Sequence, residues 1–233
     1  MHKLLSSEGN VAALINKSLK YSHVRSIVDL CSGSGGPMIN VLKTLTGEYG
    51  LQNVTLTLTD LYPNNDLAKK INTQKLEHIS YLSSPVDATN VPPELPGIRT
   101  MICSFHHMDP RTARSILTNA KESRQPICIY EISDNSFPVF LWWLAIPLNF
   151  VTALFITPLV RPLTGVQMLF TYLIPIIPLV FAWDGAVSNA RTYTLNDLDL
   201  LLEGLETNDY KWEKGHIEGR SKKLFLIGNP IKI

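Results

Sequence analysis

Nowhere in the chain do basic side chains cluster. Its 21 lysines and arginines face 20 aspartates and glutamates, for a formal net charge of +1. That balance removes the electrostatic case for a nucleic-acid partner. Cysteine is scarce and unpaired: Cys31, Cys103 and Cys128 stand alone inside apolar runs. Such spacing argues against a disulfide framework and a zinc site, so no metal is expected and the setting reads as reducing and cytoplasmic. The opening residues MHKLLSSEGNVAALINKSLK have neither a sustained apolar core nor a small-residue cleavage site, so no signal peptide is expected. Charge is scarcest between Phe137 and Trp183, where Arg161 is the single charged residue among 47. No internal repeat or low-complexity tract is visible.

Outside that block the pattern alternates. Val11, Leu14, Ile15 and Leu19 recur at helical spacing over 7–22. Short apolar or β-branched runs at 26–30, 54–60, 79–83, 99–104 and 126–131 read as five strands. Helices over 37–45, 65–75 and 111–122 separate most of them, the first with Pro37 in its opening turn. Strand and helix alternating at this spacing predict βαβ units and a parallel sheet. The strands lack clean polar alternation, as expected when both faces are covered. A helix over 194–205, capped by Thr194 with Asp197 behind it, and two strands at 210–217 and 223–227 close the chain.

The first strand runs into the loop Val28-Asp-Leu-Cys-Ser-Gly-Ser-Gly-Gly-Pro37. In an open α/β sheet, ligands bind beyond the carboxyl ends of the strands, so this loop is a candidate site. A P-loop would need a lysine to reach the phosphates, and none occurs between Lys20 and Lys43. A dinucleotide fingerprint would need a third glycine, where Met38 stands. Three acids occupy consecutive strand ends: Asp29, Asp60 and Asp87. Asp29, beside the loop, would repel a pyrophosphate. Together the three acids suit S-adenosylmethionine, whose ammonium, ribose diol and adenine amino group all donate hydrogen bonds.

Asp29-Leu-Cys31-Ser-Gly33-Ser-Gly35 resembles the first motif, acid-x-Gly-x-Gly-x-Gly, of the class I (Rossmann-like) S-adenosylmethionine-dependent methyltransferases, with Cys31 in place of the first glycine. By the same resemblance Asp60 is the ribose acid, Asp87 the adenine-side acid, and Ser104 to Met108 the fourth motif. The cofactor site so implied comprises Asp29, Cys31, Ser32, Gly33, Gly35, Asp60, Leu61, Asp87, Ala88 and Ser104. The fold so implied is a Rossmann-like, seven-stranded, mostly parallel sheet with helices on both faces, its last strands forming a reversed hairpin at one edge. The core would occupy residues 1–136 and 184–233, around an inserted apolar helical hairpin at 137–183.

Methyl transfer from a sulfonium needs mainly alignment, with a base only where the acceptor must lose a proton. His106 and His107, at the end of the fourth strand, are the candidates, as base or as pocket wall, with His106 slightly favoured. Asp109-Pro110 reads as a helix cap. A further polar cluster, Asp184 to Tyr193, follows the apolar block. It belongs either at the acceptor pocket, with Asp184 as a catalytic candidate, or at a helix start held by an Asp184–Arg191 pair.

The apolar block divides at Arg161 into uncharged runs of 24 and 22 residues, each long enough for a bilayer core of ~30 Å. Six prolines, at 138, 147, 158, 162, 175 and 178, oppose two straight helices. The expectation is a monotopic or re-entrant membrane hairpin on the cytoplasmic side, with Trp142, Trp143 and Trp183 near one interface. A two-helix span, or a soluble lid or dimer-forming segment, are the alternatives. The expected activity is methylation of a hydrophobic or lipid-like small molecule. Its rivals are a non-catalytic S-adenosylmethionine-binding module and a nicotinamide oxidoreductase.

Overall fold

The computed structural model describes residues 7–74, 76–133, 135, 139–160, 162–218 and 222–231, with the side chains of 139–143 outside that set. The chain divides into two compact units, residues 1–132 with 195–233, and residues 133–194.

In the first unit α1 (Ser7–Leu19) precedes β1 (Ser26–Asp29), α2 (Met38–Gly47), β2 (Thr55–Leu58), α3 (Asn65–Thr73), β3 (Ile79–Tyr81) and β4 (Ile98–Ile102). A 3₁₀ turn (Phe105–His107) then leads into α4 (Pro110–Glu122) and β5 (Ile127–Glu131). The strand order is β3-β2-β1-β4-β5-β7-β6, where β6 is Tyr210–Ile217 and β7 is Lys223–Pro230. The first five strands are parallel, and β7 runs antiparallel to both β5 and β6. The reversed hairpin expected from the sequence is therefore present at that edge.

Burial explains why these short runs become strands. Every residue of β5 is buried, and β4 is buried up to its last residue. Such runs must be covered on both faces. Helix α1 packs on α2 and over β5 and β7, while α4 packs on the later helix α8 (Leu195–Leu202) and over β7. Val11, Ile15, Val41, Leu45, Leu56 and Ile98 anchor the main core cluster. Burying an aliphatic side chain of this size stabilises by about 1.5–3 kcal/mol. Strand order reverses between β1 and β4, so the carboxyl ends of these two strands open a crevice there.

The second unit holds the apolar block. Helix α5 (Val139–Ile156) contains Pro147 and ends in a 3₁₀ turn, Thr157–Leu159. Helix α6 (Gly165–Met168) continues into a π turn, Leu169–Leu173, and then α7 (Ile176–Arg191) follows. Residues Gly165–Leu173 and Ile176–Arg191 meet at a bend of 75°. Among the described residues no single helix is long and apolar enough to cross a membrane. Arg161 and the side chains of Trp142 and Trp143 lie outside the described residues. The expected helix start near Asp184 is corrected: residues 184–191 form the C-terminal half of α7, because the helix carries on past Trp183 with Ala186 buried in line with Ala182.

Candidate functional site

Beyond β1 the chain folds back over its own end. Cys31, Gly33, Gly35 and Gly36 all take positive φ, a conformation that costs non-glycine residues and explains the glycine content. Ser32 N–H donates to the Thr59 carbonyl at 2.9 Å, and Gly35 N–H to the Ser32 carbonyl at 2.7 Å. Tyr81, buried at the end of β3, donates from its hydroxyl to the Gly33 carbonyl at 2.9 Å. The loop is thus braced from two neighbouring strands.

Asp29 lies beneath this loop. Its Oδ2 accepts from Ser32 Oγ at 2.6 Å and its Oδ1 from Thr100 Oγ1 at 2.6 Å. Burial pushes its carboxyl up to about 6, against the two hydroxyl bonds that hold it down, with Asp60 adding a small upward push. The sequence points Asp29 at the ligand's ammonium. The structure instead makes it a buried brace that joins β1, the loop and β4. Gly35 likewise shapes the turn into α2, with Leu58 beneath it.

Above the loop is a cleft of ≈ 530 Å³. One wall is Cys31, Ser32, Gly33 and Ser34 with Gly36 and Pro37; a second is Asp60, Leu61 and Tyr62. Asp87, Ala88 and Thr89 form a third, and Ile102, Cys103, Ser104, His107 and Met108 a fourth, with Thr112 and Ile116 of α4 below. Asp60 accepts from Gly33 N–H at 2.8 Å through Oδ2 and from Tyr62 N–H at 2.9 Å through Oδ1. Asp87 accepts from the Thr89 amide at 2.8 Å and hydroxyl at 2.7 Å, both through Oδ1. Eight of the ten residues expected around the cofactor therefore line one cleft; Asp29 and Gly35 support it from below.

Burial first, and then the acids Asp60, Asp29 and Asp87, push the Cys31 thiol up to about 12. Burial and Glu131 do the same to Cys103. Both stay protonated at neutral pH, so neither is a nucleophile.

The two histidines part company. His107 is exposed on the cleft wall. The ring of His106 sits beside it, with centroids 4.2 Å apart, and its side chain is 10% exposed. His106 Nδ1 lies 2.8 Å from Glu131 Oε2, and His106 backbone N–H donates to Glu131 Oε1 at 3.1 Å. A carboxylate only accepts, so Nδ1 of the neutral ring carries the proton and Nε2 keeps its lone pair. Glu131, 3% exposed at the end of β5, has no counterpart in the sequence reading. An acid closing a fully apolar strand was the signal that could have found it. Asp109 caps α4, accepting from the Arg111 and Thr112 amides, as the sequence implies. Asp184 is exposed on α7 of the second unit and stands apart from any helix start.

The donor set of the cleft fits S-adenosylmethionine. The volume lies within the usual range for small-molecule sites. Among the described residues its walls carry two carboxylates and no lysine or arginine, which disfavours phosphates and suits a sulfonium and an ammonium. Asp60 and Asp87 each keep acceptor capacity for further donors.

No family model matches the chain, and no curated protein matches it in sequence. Solved structures do match in fold. The mitomycin 7-O-methyltransferase MmcR gives a TM-score of 0.54 at 14% identity, over 97% of this chain and 55% of that one. The methyltransferase domain of bacterial CtHen1 gives 0.53 at 12%, over 96% of this chain and 97% of that one. NcsB1, an O-methyltransferase from neocarzinostatin biosynthesis solved with S-adenosylmethionine and 2-hydroxy-5-methyl naphthoic acid, gives 0.51 at 12%, over 97% and 57%. The chain spans about half the length of MmcR and NcsB1. The fold is that of the class I S-adenosylmethionine-dependent methyltransferases.

Proposed function

We propose that this protein is an S-adenosylmethionine-dependent methyltransferase that acts on a hydrophobic, lipid-like small molecule at a membrane surface. The observation that carries the chemistry is the anionic cleft over the glycine loop, which has no lysine or arginine among the described residues of its walls, with the carboxylate-locked His106 directly behind the wall residue His107. Asp60 would take the ribose hydroxyls, with Leu61 beside it, and Asp87 with Ala88 the adenine end. The loop residues Cys31, Ser32 and Gly33, together with Ser104, would surround the amino-acid end. Bound there, S-adenosylmethionine supplies an electrophilic methyl group on a sulfonium.

The chain's own residues then do two things. They align an acceptor with that methyl, which is most of what a displacement of this kind requires. His106 takes the acceptor's hydroxyl proton at Nε2 while Glu131 holds the Nδ1 proton, fixing the ring's tautomer and balancing the imidazolium that forms. His107 lies on the wall and contacts the acceptor. The membrane and the apolar acceptor are supported by the uncharged runs of the second unit. MmcR and NcsB1, O-methyltransferases by name, agree with oxygen as the methylated atom.

Calorimetric titration tests the cofactor: S-adenosylmethionine should bind saturably and NAD should not. Asp60→Ala should weaken that binding by roughly 1.5–3 kcal/mol per charge-assisted hydrogen bond lost. Unchanged affinity would remove the ribose assignment, and saturable NAD binding alone would overturn the methyltransferase. Binding without methyl transfer to any extracted lipid or small molecule would leave only a binding module.

A further inference from the structure

We infer that the second unit seats this protein in a single leaflet of a lipid bilayer, entering and leaving on the same side. The inference rests on the membrane part of the proposed function and is independent of the chemistry in the cleft.

The unit is packed inside out. Helix α5 packs along α7, and the buried positions described on the two helices are Ala153 on α5 and Pro178, Ala182 and Ala186 on α7, none of them a large apolar side chain. Gly185 brings α7 so near Asn149 that an added Cβ would come within 3.1 Å of the amide nitrogen. Most of the large apolar side chains face outward instead. Leu148, Phe155 and Leu159 are 67%, 73% and 77% exposed on the α5 limb, and Leu179 and Trp183 are 57% and 63% exposed on α7. In water this arrangement forfeits about 25 cal/mol for each Å² of apolar surface left exposed. In hydrocarbon there is no such cost, and helices associate through small residues.

Most of the polar groups agree, with Thr171 Oγ1 the one side chain of the unit that is buried without a hydrogen-bond partner among the described residues. Thr152 Oγ1 donates to the Leu148 carbonyl at 2.7 Å and Thr157 Oγ1 to the Ala153 carbonyl at 2.8 Å. Tyr172 bonds the Leu154 carbonyl at 2.5 Å. At the turn between the limbs, Thr164 and Gln167 form a reciprocal capping box that satisfies amides at the start of α6. Hydrocarbon offers such groups no other partners. A second copy of this chain would cover one face and bring a polar rim. Here the outward apolar surface includes both limbs and the segment 163–174, with no charged residue among the described residues of 139–160 and 162–183.

Length decides the depth. The return limb runs through Gly165–Leu173, bends by 75°, and stays apolar only from Ile176 to Trp183. At 1.5 Å per residue the two pieces are about 13 and 12 Å long and reach about 20 Å end to end across that bend. A crossing needs ~30 Å. By length and composition the whole bent pair, to Arg191, could serve as a broken span or a re-entrant loop; its uncharged part, ending at Trp183, reaches into one leaflet and falls short of both, and this favours the re-entrant course.

The test uses the full chain with sealed vesicles of phosphatidylcholine and phosphatidylglycerol. The protein should float with them, and Leu148→Lys with Phe155→Lys should lower the bound fraction by at least about tenfold. Both sites are surface positions, so far-UV circular dichroism and thermal midpoint should not change. Leu163→Cys, compared with the parent as blank, should resist a membrane-impermeant maleimide from outside and from inside the vesicle, and react once detergent is added. Labelling from inside means a span and overturns the single-leaflet reading. Labelling from outside at an undiminished rate, or failure to float, overturns insertion itself. Flotation without S-adenosylmethionine binding upholds this inference and overturns the methyltransferase; the converse does the reverse.

Discussion

Asp29 shows what burial does to a single residue. Its carboxyl titrates near 6 in the folded protein and near 4 when unfolded, because desolvation outweighs its two hydroxyl bonds. The folded state therefore binds the proton more tightly. The stability this contributes is complete below about pH 4 and is lost as the pH rises to about 6. Asp29→Asn should flatten that part of the pH–stability curve. It should leave the protein as stable or more so at pH 7, by up to about 3 kcal/mol, in urea melts across the range. Cys31 stands at φ +56°, where a glycine would be unstrained. Cys31→Gly should be tolerated, whereas Cys31→Val should cost about 2 kcal/mol, since a β-branched side chain is poorly accommodated there. At the proposed reaction, His106→Ala should lower kcat by roughly 10²–10⁴. Glu131→Gln should lower kcat and alter its pH profile with little change in KM, and His107→Ala should act mainly on KM. Equal effects of the two histidine changes on kcat would remove the distinction drawn between them.

At the scale of elements, hydrophobic runs and turn chemistry made the strands legible in sequence. All seven expected strands are present; the one at 210–217 matches at both ends, and the others differ by one to three residues at one end or both. The shifts fall where hydrogen-bond pairing stops, which depends on the neighbouring strand. The helix expected over 194–205 ends at Leu202. The α7 helix was hidden because its polar C-terminal half reads as a cap region when the burial of Ala182 and Ala186 is unknown. One glycine at an element boundary is decisive. Gly97, just before β4, has φ +134°, and a Cβ there would lie 2.3 Å from the Ser26 carbonyl oxygen. Gly97→Ala must push β4 off β1, and we expect a loss of about 3 kcal/mol or more in chemical denaturation.

The whole molecule joins an α/β unit of ordinary globular character to a unit whose outward surface is apolar. Large continuous apolar patches are interaction surfaces or aggregation liabilities. In detergent-free buffer the protein should therefore self-associate in proportion to concentration, and mild non-ionic detergent should return it to one defined species by light scattering. A monodisperse monomer without detergent would show that the apolar faces are covered by the protein itself.

The sequence by itself determined the alternating elements, the glycine loop, the acids at successive strand ends and the uncharged block, because periodicity, turn residues and charge are local properties. Only the tertiary structure decided which groups meet. Asp29 found Thr100 across 71 residues and His106 found Glu131 across 25, pairings set by the order of strands in the sheet. The same long-range packing put alanines inside the second unit and left leucines, phenylalanine and tryptophan outside.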